Sequence, residues 1–201
     1  MKLYIVRHGQ TIWNKERRIQ GDSDIMLTER GRWMAAQTAQ GLQGVHFDAI
    51  YSSPLSRSYD TACIIRGNRD LSVVKDSRLR EMGFGVIEGK SFDDPESGAA
   101  QFFDVFYHDP LAYQPPEGGE TFSSLCQRAD DFIADMVAKY TGDEHVLIVA
   151  HQALNKALLR CIKGLPLEKF WEGEFLRFCS LCVAEYKNGA FEMLQEDTVF
   201  Y

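Results

Sequence analysis

Short apolar runs alternate with longer segments of helical periodicity along all 201 residues. Leu3 to Val6, Asp48 to Tyr51, Leu71 to Val74 and His145 to Ala150 are four such runs, the kind that forms strands buried on both faces of a parallel sheet. Thr28 to Leu42, the stretch that runs from Ser52-Ser53-Pro54 through Arg57 to Cys63, Thr121 to Tyr140 and Gln152 to Arg160 supply the helices between them. This order predicts an α/β protein, a three-layer α/β/α sandwich around a mostly parallel central sheet. Phe175 to Tyr186 reads as a late strand that turns at Lys187-Asn188-Gly189 into a return strand, Ala190 to Gln195, adding an antiparallel edge hairpin.

No proline-rich or low-complexity linker divides the chain, so residues 1–201 read as a single domain. Phe84 to Gly119 is expected to be a partly helical cap insertion, in which Phe102, Phe103, Phe106 and Tyr107 have helical spacing. With 45% hydrophobic residues the chain can bury a substantial core without staples. Its five cysteines, an odd number scattered over predicted elements, are expected to be reduced and buried. Cys179 and Cys182 form a C-x-x-C, but residues three apart on a strand face opposite sides, which argues against a shared metal.

The formal charge of −7 lacks the basic face that a polyanion requires, so no nucleic acid partner is expected. The first residues read as a strand, so neither a signal peptide nor a membrane span is expected, and a cytoplasmic location is the default. Lys15, Arg17 and Arg18 are the one dense basic patch. They read first as a solvated loop and second as a patch that draws an anion to the mouth of a site.

Candidate chemistry gathers where the apolar runs end, the edge at which open α/β sheets place their ligands. The first run stops at Arg7-His8-Gly9. Imidazole is largely neutral at pH 7, so His8 suits a nucleophile, and a backbone acceptor on one ring nitrogen would aim the other. Arg7 suits a two-pronged clamp on phosphate. Adjacent strand residues point to opposite faces, so the two side chains converge only if the strand has ended, and Gly9 is expected to supply the bend. Arg57 falls in the first turns of its helix, where amides and dipole favour an anion. Glu81 lies in the glycine-rich turn Leu79 to Gly85, and His151 follows the clearest strand directly.

Arg7-His8-Gly9, Asn14, Gln20-Gly21, Leu27 to Gly31, Ser52-Ser53 to Arg57, Leu79-Arg80-Glu81, Glu88-Gly89, Gly119-Glu120-Thr121 and Ala150-His151 occur in that order over nearly the whole chain. In these motifs the chain resembles the histidine phosphatase superfamily, which includes the cofactor-dependent phosphoglycerate mutases and the phosphatase domain acting on fructose 2,6-bisphosphate. The resemblance implies that His8 accepts the phosphoryl group and that Glu81 protonates the leaving oxygen and later activates water. It implies that Arg7, Arg57 and His151 hold the phosphate, that Asn14 adds a hydrogen bond, and that Gln20 and Gly21 line the rim. Neither a metal nor a cofactor is implied. Gln152 stands where many members have glycine, although the fructose 2,6-bisphosphatase domain resembles this His-Gln-Ala form, and it is counted among the substrate contacts. Ile87, where a bulkier group is frequent, looks like a packing variant.

A mutase must bind a second anionic group and retain a phosphorylated product, and both tasks call for extra cations. Between Met82 and Gln127, Lys90 is the one lysine or arginine, amid many acidic and aromatic residues. A cation-poor cap favours hydrolysis of a small-molecule phosphate ester with an uncharged or apolar leaving group. Phosphoglycerate mutase, a protein phosphatase and a non-catalytic phospho-ligand sensor are the alternatives, and a homodimer is left open. The aromatic residues of the cap read equally as ordinary core packing.

Overall fold

In the computed structural model, which describes residues 1–201, six strands form one sheet. They are β1 (Lys2–Arg7), β2 (Ala49–Ser52), β3 (Val73–Lys75), β4 (His145–Ala150), β5 (Leu181–Lys187) and β6 (Ala190–Thr198), in the spatial order β3-β2-β4-β1-β5-β6. The first four run parallel, and β5 is antiparallel to both β1 and β6. The expected mostly parallel sheet with an antiparallel edge is therefore present.

The pleat sends alternate side chains to two cores. Leu3, Ile5, Val146 and Ile148 pack with buried residues of α5 (Phe122–Lys139) and α6 (Gln152–Lys163). Tyr4, Val6, Leu147 and Val149 pack on the other face with Leu42 and with Ala62 and Ile65 of α3 (Ser56–Arg66). On that second side α2 (Glu29–Gly41) lies against α3, which completes the three layers. Helix α5 forms because Phe122, Leu125, Cys126, Ala129, Phe132, Ile133 and Met136 recur on one buried stripe. Its amino end is closed by Thr121, whose side chain accepts from the Ser124 amide at 3.1 Å.

The register puts the candidate motifs at one edge. Arg7 pairs with Ala150 and Ser52 with Val149, and the His8 amide donates to the Ala150 carbonyl at 2.9 Å. The ends of β1, β2 and β4 thus open together, with His8, Ser53 and His151 just beyond them. The segment Phe84 to Gly119 contains α4 (Ala99–His108), and its ends meet in a bridge between Phe84 and Gly119.

Three local expectations need correction. Arg7 is the last residue of β1, so the strand ends between Arg7 and His8 and not before both. Gly9 has no left-handed backbone, and its requirement is room: a Cβ there would lie 2.5 Å from the Gly31 carbonyl oxygen. The late strand begins at Leu181, six residues after Phe175. Cys179, with φ of 53°, turns the preceding segment over the sheet edge, where its amide donates to the Arg7 carbonyl at 3.0 Å. Cys179 and Cys182 accordingly belong to different core clusters.

Candidate active site

His8 is nearly fully buried, and its Nδ1 lies 2.7 Å from the Gly9 carbonyl oxygen. A carbonyl only accepts, so Nδ1 carries the proton and Nε2 keeps its lone pair. Burial lowers the ring's proton affinity well below the ordinary histidine value, and the cationic Arg57 and Arg7 lower it further. The ring is therefore a neutral base with one free, oriented nitrogen.

Behind it, His151 packs edge to face with a ring centroid separation of 5.1 Å. Arg57 Nε donates to His151 Nδ1 at 3.2 Å, so the proton of this second imidazole resides on Nε2, which faces Ser58 Oγ at 3.2 Å. Burial, followed by the Arg57 charge, lowers the His151 proton affinity well below the ordinary value. Both imidazoles are thus neutral.

Arg57 has no exposed surface. Its Nη1 donates to the Ser23 carbonyl and its Nη2 to the Gly21 carbonyl, each at 2.6 Å. Including the bond to His151, three of its five N–H groups are committed. The loop that supplies those carbonyls is held by Glu88. Its carboxylate accepts from the amides of Asp22 and Ser23 at 2.9 Å each, from the Phe84 amide at 2.8 Å and from the Ser23 hydroxyl. Gly21 has φ of 55°, and a Cβ there would lie 2.2 Å from Glu88 Oε1, so glycine is required.

Arg7 projects beneath a loop between α6 and β5. Its Nη1 donates to the Leu176 carbonyl at 2.5 Å, and its guanidinium lies 4.3 Å from the Phe178 ring centroid and 5.5 Å from that of Phe175. Its buried Nε has no partner. Opposite, at the start of α6, the Glu81 carboxylate accepts from the Met82 amide at 3.0 Å, the Leu154 amide at 3.2 Å and the Ala153 amide at 3.3 Å. These bonds fix the carboxylate at a helix amino end, the position the dipole favours. Gln152 beside it is buried, and neither atom of its amide has a partner.

One cavity of about 190 Å³ is lined by Arg7, His8, Asn14, Gln20, Gly21, Glu81 and Gln152. Arg57 and His151 are not on its wall and back His8 from behind. Asn14 and Gln20 share the Thr11 hydroxyl, which lies 2.9 Å from Asn14 Oδ1 and 2.5 Å from Gln20 Oε1. Phe84, Phe92, Phe103, Phe106 and Tyr107 form the apolar wall. Phe84, Phe103 and Phe106 also belong to the core, so this aromatic segment packs the core and lines the cavity at once.

Sequence reasoning missed Trp171 and Phe175, which close the wall from the loop after α6, where the chain was read as approaching a strand. The cluster of aromatic residues between Pro166 and Arg177, Phe170, Trp171 and Phe175, was the available signal. Arg18 also lines the cavity, whereas Arg17 pairs outward with Asp93 at 2.8 Å and Lys90 is exposed. One member of the basic patch thus reaches the site. No helix is long and apolar enough to cross a membrane.

A family model, the histidine phosphatase superfamily (branch 1), matches residues 3–197. Phosphoserine phosphatase 1 of Hydrogenobacter thermophilus is 34% identical over 171 residues, covering 85% of this chain and 80% of that protein. A protein of Erwinia tasmaniensis named "Probable phosphoglycerate mutase GpmB" is 34% identical over 166 residues, covering 83% of this chain and 76% of its own. Among solved structures, Bacillus stearothermophilus YhfR superposes with a TM-score of 0.91 at 38% identity, covering 98% of this chain and 97% of that one.

Proposed function

The chain belongs to the histidine phosphatase superfamily, and from that membership we propose that it hydrolyses small phosphorylated metabolites through a phosphohistidine at His8, without a metal. The observation that carries this reading is the His8 ring itself. Its Nδ1 is committed to the Gly9 carbonyl at 2.7 Å, and its Nε2 is left as a free, neutral nucleophile beside Arg7.

In the first step the Nε2 lone pair forms a bond to phosphorus, and the bond from phosphorus to the ester oxygen breaks. Glu81 passes its proton to that oxygen. In the second step water attacks the phosphohistidine and Glu81 takes the water's proton, which regenerates neutral His8 and releases phosphate. Arg7 meets the charge on the phosphoryl oxygens at the cavity wall, and Arg57, with His151 beside it, supports that charge from behind His8, the function a metal would otherwise serve. Asn14, Gln20, Gly21 and Gln152 border the bound ester.

Hydrolysis is favoured over mutase action because the cap brings no lysine or arginine to the cavity wall. Arg18 is the only cation there besides Arg7. Relatives are named for phosphoserine and for phosphoglycerate, both small phosphate esters.

The test is phosphate release from a panel of metabolite phosphomonoesters in the presence of a chelator, with 3-phosphoglycerate included. Metal-free hydrolysis, with an acid-labile phosphoenzyme that vanishes in folded His8→Ala, is expected. Phosphate migration on phosphoglycerate without net release would replace the hydrolase by a mutase. Inactivity on every ester, with turnover of phosphopeptides, would replace it by a protein phosphatase.

A further inference from the structure

Arg128 touches neither the cavity nor any residue expected to bind phosphate, yet every one of its N–H groups is used. A guanidinium has five donors. Nε and one donor of Nη2 grip the Glu120 carboxylate in a two-pronged pair, at 2.9 Å each. The two donors of Nη1 reach the carbonyls of Arg78 and Arg80, both at 2.6 Å, and the second donor of Nη2 reaches the Glu81 carbonyl at 3.2 Å. The pair is well shielded, each side chain being 18% exposed.

These contacts join separate parts of the chain. Arg128 lies in the second turn of α5, a helix anchored in the core by Phe122, Leu125 and Ala129. Glu120 lies where the cap segment returns, and its amide donates to the Gly83 carbonyl at 2.8 Å. The backbone from Arg78 to Gly83, which carries Glu81, is thereby tied to the rigid helix at three carbonyls through Arg128 and to Glu120 at a fourth. The side chains of the segment are held separately: Leu79 and Met82 are buried, Arg78 pairs with Asp76 at 2.8 Å and Asp135 at 2.6 Å, and Arg80 is engaged outward with Asp22 at 2.6 Å. The Glu81 carboxylate rests on the Met82, Ala153 and Leu154 amides, whereas Arg128 acts on the backbone.

We propose that Arg128, oriented by Glu120, is a positioning residue that holds the Glu81 backbone so that its carboxyl group faces the leaving oxygen. The inference rests on the reading of Glu81 as the general acid. A misplaced acid fails most where the leaving oxygen needs its proton most, whereas a loss of phosphate binding or folding affects all esters alike. Lysine, with a single nitrogen and three donors, cannot serve three carbonyls and a carboxylate together.

The test compares kcat/KM over a leaving-group series, from nitrophenyl phosphate to alkyl phosphates, for the wild type, Glu81→Gln, Arg128→Lys, Glu120→Gln and the double variant Glu81→Gln/Arg128→Lys. For Arg128→Lys we expect a loss on the order of 10- to 100-fold on alkyl phosphates and under about threefold on nitrophenyl phosphate, a fraction of what a full general acid contributes. Glu120→Gln should follow in the same direction. In the Glu81→Gln background, Arg128→Lys should add under about threefold on every ester.

A uniform loss for Arg128→Lys, or losses that multiply in the double variant, would overturn the proposal. A uniform loss for Glu81→Gln would remove the acid assignment itself. A graded loss for Glu81→Gln beside a uniform one for Arg128→Lys would remove only the role of Arg128. Should Arg128→Lys fail to fold, Glu120→Gln decides by the same series, because it weakens the same clamp and keeps all three carbonyl bonds available.

Discussion

Gly9 and Gly31 meet backbone to backbone: a Cβ on Gly9 would lie 2.5 Å from the Gly31 carbonyl oxygen, and one on Gly31 would lie 2.1 Å from the Gln10 carbonyl oxygen. The first turn of α2 is thus laid directly against the loop that carries His8. In an ordinary helix, glycine to alanine stabilises by about 0.8–1.0 kcal/mol. Gly31→Ala should have the opposite sign, because the obstructing atoms are backbone and cannot swing away. Its thermal midpoint should fall, and kcat should drop about tenfold or more as His8 shifts. An unchanged midpoint and rate would refute the close-contact account.

Stability should decline on acidification through the two buried imidazoles. His8 and His151 both have their proton affinity lowered by burial first and by neighbouring Arg57 next. As pH falls below about 6.5, the unfolded chain binds protons at these rings while the folded chain does not. Their contribution is therefore complete above that pH and is lost as the pH falls toward the folded values. His151→Asn should flatten the slope of melting temperature against pH on the acid side of neutrality. Equal slopes for variant and wild type would exclude this linkage.

Arg18 should distinguish esters by charge. It is the cation from the basic patch that lines the cavity, and it is steadied by Glu16 at 2.9 Å and by the Gly89 carbonyl at 3.0 Å. Arg18→Ala should raise KM severalfold for 3-phosphoglycerate, whose leaving group carries a carboxylate and no compensating cation, and leave phenyl phosphate nearly unchanged. Added salt should narrow the difference in the wild type, since exposed charges are screened over about 10 Å at 0.1 M. Equal effects on both esters would remove this role.

Two aromatic wall residues should separate binding from stability. Phe106 is 1% exposed and touches Tyr107, Tyr113, Phe122 and Trp171, so Phe106→Ala should cost about 3–5 kcal/mol in unfolding free energy. Phe175 is 52% exposed at the rim, above Arg7. Phe175→Ala should stay within about 1 kcal/mol in stability and raise KM for aromatic esters, which a denaturant titration and steady-state kinetics would check. A large stability loss at Phe175 would place it in the core instead.

The strand motifs were legible because each signal is local. A run such as Val146 to Ala150 ends at His151 whatever surrounds it, and alternation of strands and helices sets the order of layers. Thr28 and Thr121 mark helix starts through bonds spanning three residues, to the amides of Gly31 and Ser124. The segment from Phe175 to Ser180 was misread because its apolar residues imitate a strand. Their path is set by distant partners: Arg7 holds the Leu176 carbonyl, and Asp197 receives the Arg177 amide at 2.8 Å and its Nε at 2.7 Å.

The sequence by itself determined the fold class, the edge of the sheet at which chemistry gathers, and the set of residues from Arg7 to Gln152 considered for it. Periodicity and motif order carry that information without reference to distance. Only the tertiary structure decided that Arg57 and His151 lie behind His8 and off the cavity wall, that Arg18 reaches the cavity while Arg17 does not, and that Trp171 and Phe175 complete it. Only the tertiary structure revealed the Arg57 and Arg128 contacts, because a hydrogen bond to a backbone carbonyl recruits no particular residue type at the accepting end. Such a bond leaves no mark in the sequence at Gly21, Ser23, Arg78 or Arg80, and it becomes visible when the chain brings donor and carbonyl within 3 Å.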